Sequence, residues 1–178
     1  LAPVPMAYAQ DPALAIYYAA QSSRTTHAAP AAVDACQYFA GLVVGALQGV
    51  DKSMLLSERY CPIPGYWSRK RLDREIDEIA CGVYKQYNPP IIRGDGYVVK
   101  SLEAALWAFN KSNSFREGCL MVVNLGDDAD TSGAIFGQLA GAYYGEREIP
   151  DEWLQKLAMR PLIEDYATRL CRIAGFAE

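Results

Sequence analysis

Apolar residues recur along most of this chain at intervals of three and four, the spacing that gathers them on one side of a helix. In residues 68–82, "SRKRLDREIDEIACG", Leu72, Ile76 and Ile79 share a face and charges fill the other, which predicts a surface amphipathic helix. Asp11-Pro12 is a cap followed by proline at the first helical position, and "ALAIYYAAQSS" continues from it. Pro30 opens "PAAVDACQYFAGLVVGALQG", a long apolar helix that Gly49 can end. "SLEAALWAFNKS" keeps the helical period. Ser114 and Glu117 form a capping box ahead of "FREGCLMVV". "SGAIFGQLAGAYYG", "IPDEWLQKLAM" and "RPLIEDYATRLCRIAG" read as three more helices.

Signals for strands are weak. "GYVV" and "LMVVNL" are short β-branched runs that abut helical patterns, and no alternation is sustained enough for a sheet. The connecting segments "SRTTHAAP", "ERYCPIPGYW" and "YNPPIIRGDGY" are not low-complexity linkers, and no internal repeat is present. The pattern predicts a single all-α domain over residues 1–178.

Composition adds limits. The chain is 51% hydrophobic and 21% charged, the balance of an ordered globular domain. Its formal net charge is −4, which argues against nucleic acid as a partner, because phosphate binding needs a basic face. The basic cluster "SRKRLDRE" alternates with acids and reads as a solvated helix face, as do Asp73, Glu75, Asp77 and Glu78. Five cysteines, Cys36, Cys61, Cys81, Cys119 and Cys171, lack metal-ligand or redox spacing. Reduced, mostly buried thiols in a cytoplasmic protein are the expectation. No stretch reaches the roughly 20 apolar residues of a bilayer span, and "LAPVPMAYAQ" lacks the layout of a signal peptide. The start at Leu1, running at once into "APVP", reads like the middle of a protein.

The densest chemistry is in "NLGDDADTSG", residues 124–133. Asp128, Asp130 and Thr131 stand where a turn enters a helix, so their oxygens can converge as hard ligands for Mg²⁺, Mn²⁺ or Ca²⁺. Helix capping is the competing reading, since an acid near a helix N-terminus gains about 0.3–1 kcal/mol. One aspartate suffices for that, and three repel one another unless a cation or solvent intervenes. An EF-hand loop does not fit, because its twelfth position from Asp128 is Leu139 rather than an acid. Behind the turn, Gly133, Gly137, Gly141 and Gly145 recur every fourth residue. They predict a small-residue ridge on which another helix backbone lies close, and so a rigid mount for the turn.

Together these residues resemble the ADP-ribosylglycohydrolase family, which includes the dinitrogenase reductase-activating glycohydrolases. "NLGDDADTSGAIFGQLAGAYYGEREIPDEWL" is similar to the family's Gly-x-Asp-x-Asp-Thr turn, Gly/Ala helix, Ile-Pro and Trp. "LAPVPMAY" resembles the segment after its Gly-Asn-Gly and Met-Arg motif. "SSRTTHAAPAAVDACQYFAGLV" and "GYVVKSLEAALWAFNKSNSFREG" are similar to its next two motifs, in family order. Asp127, where many members have Gly, and Ala129, where many have Thr, are departures.

The resemblance implies a compact orthogonal helical bundle, a site for two Mg²⁺ or Mn²⁺ ions, and hydrolysis of the glycosidic bond at the distal ribose of ADP-ribosylated substrates. It implies Asp128, Asp130 and Thr131 as metal ligands and a contact from His27, the only histidine, to ADP-ribose. Tyr97 would stack on or bond the nucleotide. A loop histidine bonded to backbone and a half-buried core tyrosine are the competing readings of these two. Trp107 and Trp153 read as core. The family's Thr-Asp-Asp-Thr motif, its catalytic acid and its Gly-Asn-Gly motif are absent from these residues, so the catalytic residues are not identified. The resemblance therefore covers a C-terminal part, whose partner would be an N-terminal fragment of the same protein. A non-catalytic ADP-ribose-binding or structural module is the alternative.

Overall fold

The computed structural model describes residues 1–176. Eleven α-helices make up the architecture, and no strand occurs among the described residues. Both β-branched runs are absorbed into helices, because the apolar positions around them carry the helical period.

Helix α3 (Pro30–Leu47) is the axis of the core. It has the apolarity of a membrane span (mean hydropathy 1.3 over 18 residues), but 72% of that window is buried inside the protein. Around it stand α1 (Pro3–Ala7), α2 (Pro12–Arg24), α6 (Arg74–Ala80), α7 (Val98–Lys111) and α9 (Ala129–Tyr144), each in contact with it. Helix α8 (Phe115–Val123) packs on α7 and α9. Short helices α4 (Lys52–Leu55), α5 (Tyr66–Arg69) and α10 (Asp151–Leu154) fill the connections. Helix α11 (Arg160–Ile173) rests on α1 and buries none of its own residues.

The caps follow the expected chemistry. Asp11 accepts from the Leu14 N–H at 3.1 Å, and Ser114 accepts from the Glu117 N–H at 3.2 Å. Glu117 reaches back to the Asn113 N–H at 2.7 Å, one residue before the usual partner. Lysines tie the ends of elements into the core. Lys52 donates to the Ser112 carbonyl at the end of α7 and lies 4.7 Å from the Phe109 ring centre. Burial lowers its pKa.

Three expectations change. The helix over 68–82 breaks into α5 and α6, because Asp73 turns its carboxylate onto the Glu75 N–H at 3.0 Å and starts a new helix. The "solvated" charges around it are engaged: Lys70 reaches Gln37, and Arg59 grips Asp77 with two hydrogen bonds of 2.7 and 2.8 Å. The helix expected from 150 shrinks to one turn.

Third, most of the glycine ridge receives no neighbour among the described residues. A Cβ at Gly137 or Gly141 would meet nothing within 4 Å, and only Gly133 lies against a side chain, Val123 Cγ1 at 3.0 Å. Close approach is needed instead at Gly45, against Tyr60 and Leu55, and at Gly118, against Phe136 and Ser112. All five cysteines are free and half-buried rather than fully buried. Trp107 is buried, and Trp153 is half-buried with its edge toward Phe115.

Two outcomes are expected in urea unfolding. Gly118→Ala should destabilise by about 1–3 kcal/mol through overpacking. Gly137→Ala should be neutral or stabilise by up to about 1 kcal/mol, since Ala fits the helix and the space is open. The Asp77 carboxyl is held below its usual value, first by the hydrogen bond from Arg59. A depressed pKa adds stability above the unfolded value that is lost as pH falls through the folded one. Asp77→Asn should therefore cost up to about 1 kcal/mol at pH 7, and the gap to wild type should close in acid.

Candidate active site

Helices α3, α7 and α9 all begin at one end of the molecule. Their first turns line a single cavity of about 720 Å³, into which His27, Tyr97 and Thr131 also face. Ala29, Ala31 and Ala32 contribute from the start of α3, Gly96 and Val98 from the start of α7. No lysine or arginine is found among the described residues of its lining. Any attraction for an anionic group therefore rests on helix dipoles and backbone N–H groups. Hydroxyls of Ser22 and Thr26 add polar groups, and Ile135 and Leu1 supply an apolar floor.

His27 follows the end of α2. Its N–H donates to the Ser23 carbonyl at 2.6 Å, and its own carbonyl accepts from Ser23 Oγ at 2.8 Å. The backbone is thus fixed while the ring stays exposed, with Nδ1 3.0 Å from Thr26 Oγ1. Tyr97 precedes α7. Its N–H donates to Asp95 Oδ1 at 2.9 Å, and Ser101 Oγ donates to the Asp95 carbonyl at 2.7 Å. Its hydroxyl donates to Glu75 Oε2 at 2.6 Å. The ring is 47% exposed, so the reading as a core tyrosine does not hold.

The aspartate turn is sewn to the segment before α7. The Asp128 N–H donates to the Gly94 carbonyl at 2.7 Å. A Cβ on Gly96 would stand 3.2 Å from Asp128 Oδ2, and one on Gly94 would stand 3.1 Å from Ser132 Oγ. A side chain at either place would crowd the turn, which glycine leaves room for. Thr131 Oγ1 donates to Asp128 Oδ1 at 2.9 Å, and the Thr131 N–H donates to Asp130 Oδ1 at 3.0 Å. The Asp130 carboxyl is held below its usual range, chiefly by Asp128 as hydrogen-bond partner and then by the Thr131 N–H. Asp128 and Thr131 are thus bonded to each other, with Asp130 beside Asp128.

Two carboxylates and a hydroxyl are a hard-oxygen set that fits part of the shell of Mg²⁺ or Mn²⁺, which takes about six ligands. Among the described residues, no three His, Cys, Asp or Glu side chains come together as a cation site. Asp127 turns away and lines a different hollow with Pro89, Arg93 and Trp107. Glu75, read from the sequence as one of the solvated acids on a helix face, is instead bonded to the tyrosine of this lining.

The family model described as ADP-ribosylglycohydrolase matches residues 1–176. The chain belongs to the ADP-ribosylglycohydrolase family. It is 42% identical over 148 residues to the ADP-ribosylarginine hydrolase Tri1 of Pseudomonas putida (strain GB-1), covering 83% of this chain and 38% of that protein. It is 40% identical over 68 residues to the ADP-ribosyl-[dinitrogen reductase] glycohydrolase of Rhodospirillum rubrum, covering 38% of this chain and 23% of that protein. A solved "ADP-ribosylglycohydrolase-related protein complex" superposes with a TM-score of 0.87 at 38% identity, covering 98% of this chain and 58% of that one. The chain thus spans 38% of the length of the Tri1 relative that it matches.

Membership gives the departure at Asp127 a physical meaning. Its φ is +50°, beside Gly126 at +79°, and a side chain there is strained. Asp127→Gly should raise the unfolding free energy by up to about 1 kcal/mol, relief of the strained backbone outweighing the added freedom of the unfolded chain. A thermal midpoint below wild type would contradict this.

Proposed function

We propose that this chain supplies the nucleotide-holding wall and part of the metal-ligand set of an ADP-ribosylglycohydrolase active site. The reaction is hydrolysis of the glycosidic bond at the distal ribose of ADP-ribosylated substrates, ADP-ribosylarginine among them. The observation that carries the reading is the cavity. His27, Tyr97 and Thr131 come from distant parts of the chain and meet at one 720 Å³ hollow ringed by three helix N-termini.

Each part of the wall has a task. N–H groups at the starts of α3 and α7 offer a mount for a diphosphate without any cationic side chain. Tyr97 offers an aromatic face to a base, and His27 a ring that either donates or accepts. Asp128, Asp130 and Thr131 would hold Mg²⁺ or Mn²⁺ at the edge of the same hollow. The ion, when bound, supplies a Lewis acid that fixes the ribose hydroxyls and lowers the pKa of a bound water. The carboxylates of Asp128 and Asp130 stabilise positive charge as the bond at the anomeric carbon lengthens. Water then adds its oxygen to that carbon, and a proton goes to the leaving group. The residue that delivers this proton belongs, on this reading, to polypeptide outside the chain, as do the remaining metal ligands. A module that holds ADP-ribose without turnover is the second reading, favoured by the lack of a third metal-binding side chain among the described residues.

Calorimetric titration with ADP-ribose, with and without Mn²⁺, tests the function. Binding that Mn²⁺ strengthens is the expected result, and Asp128→Asn or Asp130→Asn should abolish that gain and the Mn²⁺-dependent rise in thermal midpoint. A wild-type chain that ignores both ligands would sink the proposal. Turnover of ADP-ribosylarginine should appear only when the rest of the family domain is supplied. Its absence even then would favour the non-catalytic reading.

A further inference from the structure

Tyr97, in the cavity lining, is tied to α6 by a contact in which the aspartate turn takes no part. The residue stands at the cavity rim, and its backbone is fixed by the N–H to Asp95. A tyrosine exposed this far would ordinarily sample several side-chain orientations. Here its hydroxyl spans to Glu75 Oε2 at 2.6 Å, the length of a charge-assisted O–H···O⁻ bond. The phenol pKa is raised, first by this hydrogen bond, so the proton stays where the bond needs it. Glu75 is itself well placed. It occupies the first turn of α6, and α6 is pinned to α3 by the Asp73 N–H donating to Asp34 Oδ2 at 2.7 Å. The two ends of Tyr97 are thus held by different parts of the fold.

A phenol has one O–H to donate, and here Glu75 takes it. The oxygen can then only accept, and the larger surface left for a ligand is the face of the ring. We propose that Glu75 is a positioning residue for ligand binding: it holds the Tyr97 ring across the cavity mouth so that the ring face, and not the hydroxyl, meets the base of a bound nucleotide. This rests on the reading of the cavity as a nucleotide site. Glu75 does not touch the nucleotide; it acts by removing the freedom that the ring would otherwise lose on binding.

The test is a double-mutant cycle read as the Kd for ADP-ribose, alongside ring resonances of ¹³C-labelled tyrosine with Tyr97 assigned by difference. Glu75→Ala and Tyr97→Phe should each weaken binding by roughly three- to tenfold, the loss expected for re-immobilising one side chain. The double variant should be no worse than either single one. Glu75→Gln, whose amide oxygen accepts the same bond, should keep most of the affinity. Tyr97→Leu should lose more than any of these. A loss in Tyr97→Phe with unchanged or tighter binding in Glu75→Ala would mean that the hydroxyl itself meets the ligand, and would overturn the proposal. Additive losses would overturn it too. If the wild-type chain binds no ADP-ribose, the nucleotide reading fails. The tether is still read directly then: Tyr97 resonances unmoved by Glu75→Ala would show that no such restraint exists.

Discussion

An 18-residue helix as apolar as α3 has to be covered on nearly every side, and that requirement arranges the rest of the chain. Its thirteen buried residues are enclosed by α1, α2, α6, α7 and α9, a layer of amphipathic helices around one apolar rod. Burying such side chains contributes about 1.5–3 kcal/mol for each large one, so no single neighbour is dispensable. The covering also decides the site. Because α7 and α9 start at the same end as α3, three helix starts open onto one hollow. The cavity is the place where the packing layer stops.

At that end, the chemistry depends on close backbone contact. The Asp128 N–H meets the Gly94 carbonyl, and Gly94 and Gly96 leave room for the aspartate turn to settle against them. Without that contact, Asp128 and Thr131 would belong to a free helix end rather than to the same wall as Tyr97. Glu75 joins a third element to this wall by way of the Tyr97 hydroxyl. The site is thus built from the ends of helices whose lengths are committed to the core, a common solution where rigidity and access are both required.

The glycines show how local reading and tertiary fact part company. The row at Gly133, Gly137 and Gly141 is regular, and regularity suggested close packing. Yet Gly137 and Gly141 face open space, whereas Gly45, from a second every-fourth row with Gly41 and Gly49, and the isolated Gly118 sit under side chains that leave no room for a methyl group. A glycine's role depends on what lies opposite, and sequence spacing carries no information about that. The break between α5 and α6 has a similar cause. The apolar period ran unbroken through 68–82, but Asp73 satisfied the new helix start locally and Lys70 turned inward to Gln37.

By itself, the sequence determined the helical content, most helix starts, the apolar faces and which oxygen-bearing side chains crowd the Asp128 turn. Each of these is set by neighbours within a few residues: a cap, a period, a turn entering a helix. It also carried the family resemblance, because that motif is contiguous. Only the tertiary structure decided that His27, Tyr97 and Thr131 share one cavity, that the Asp127 side chain turns away from it, and that a glutamate on an apparently solvated helix is bonded to the tyrosine at its mouth. Those facts depend on which helix ends meet. That is settled by the burial of α3 as a whole, a sum over contacts distant in sequence that no local pattern encodes.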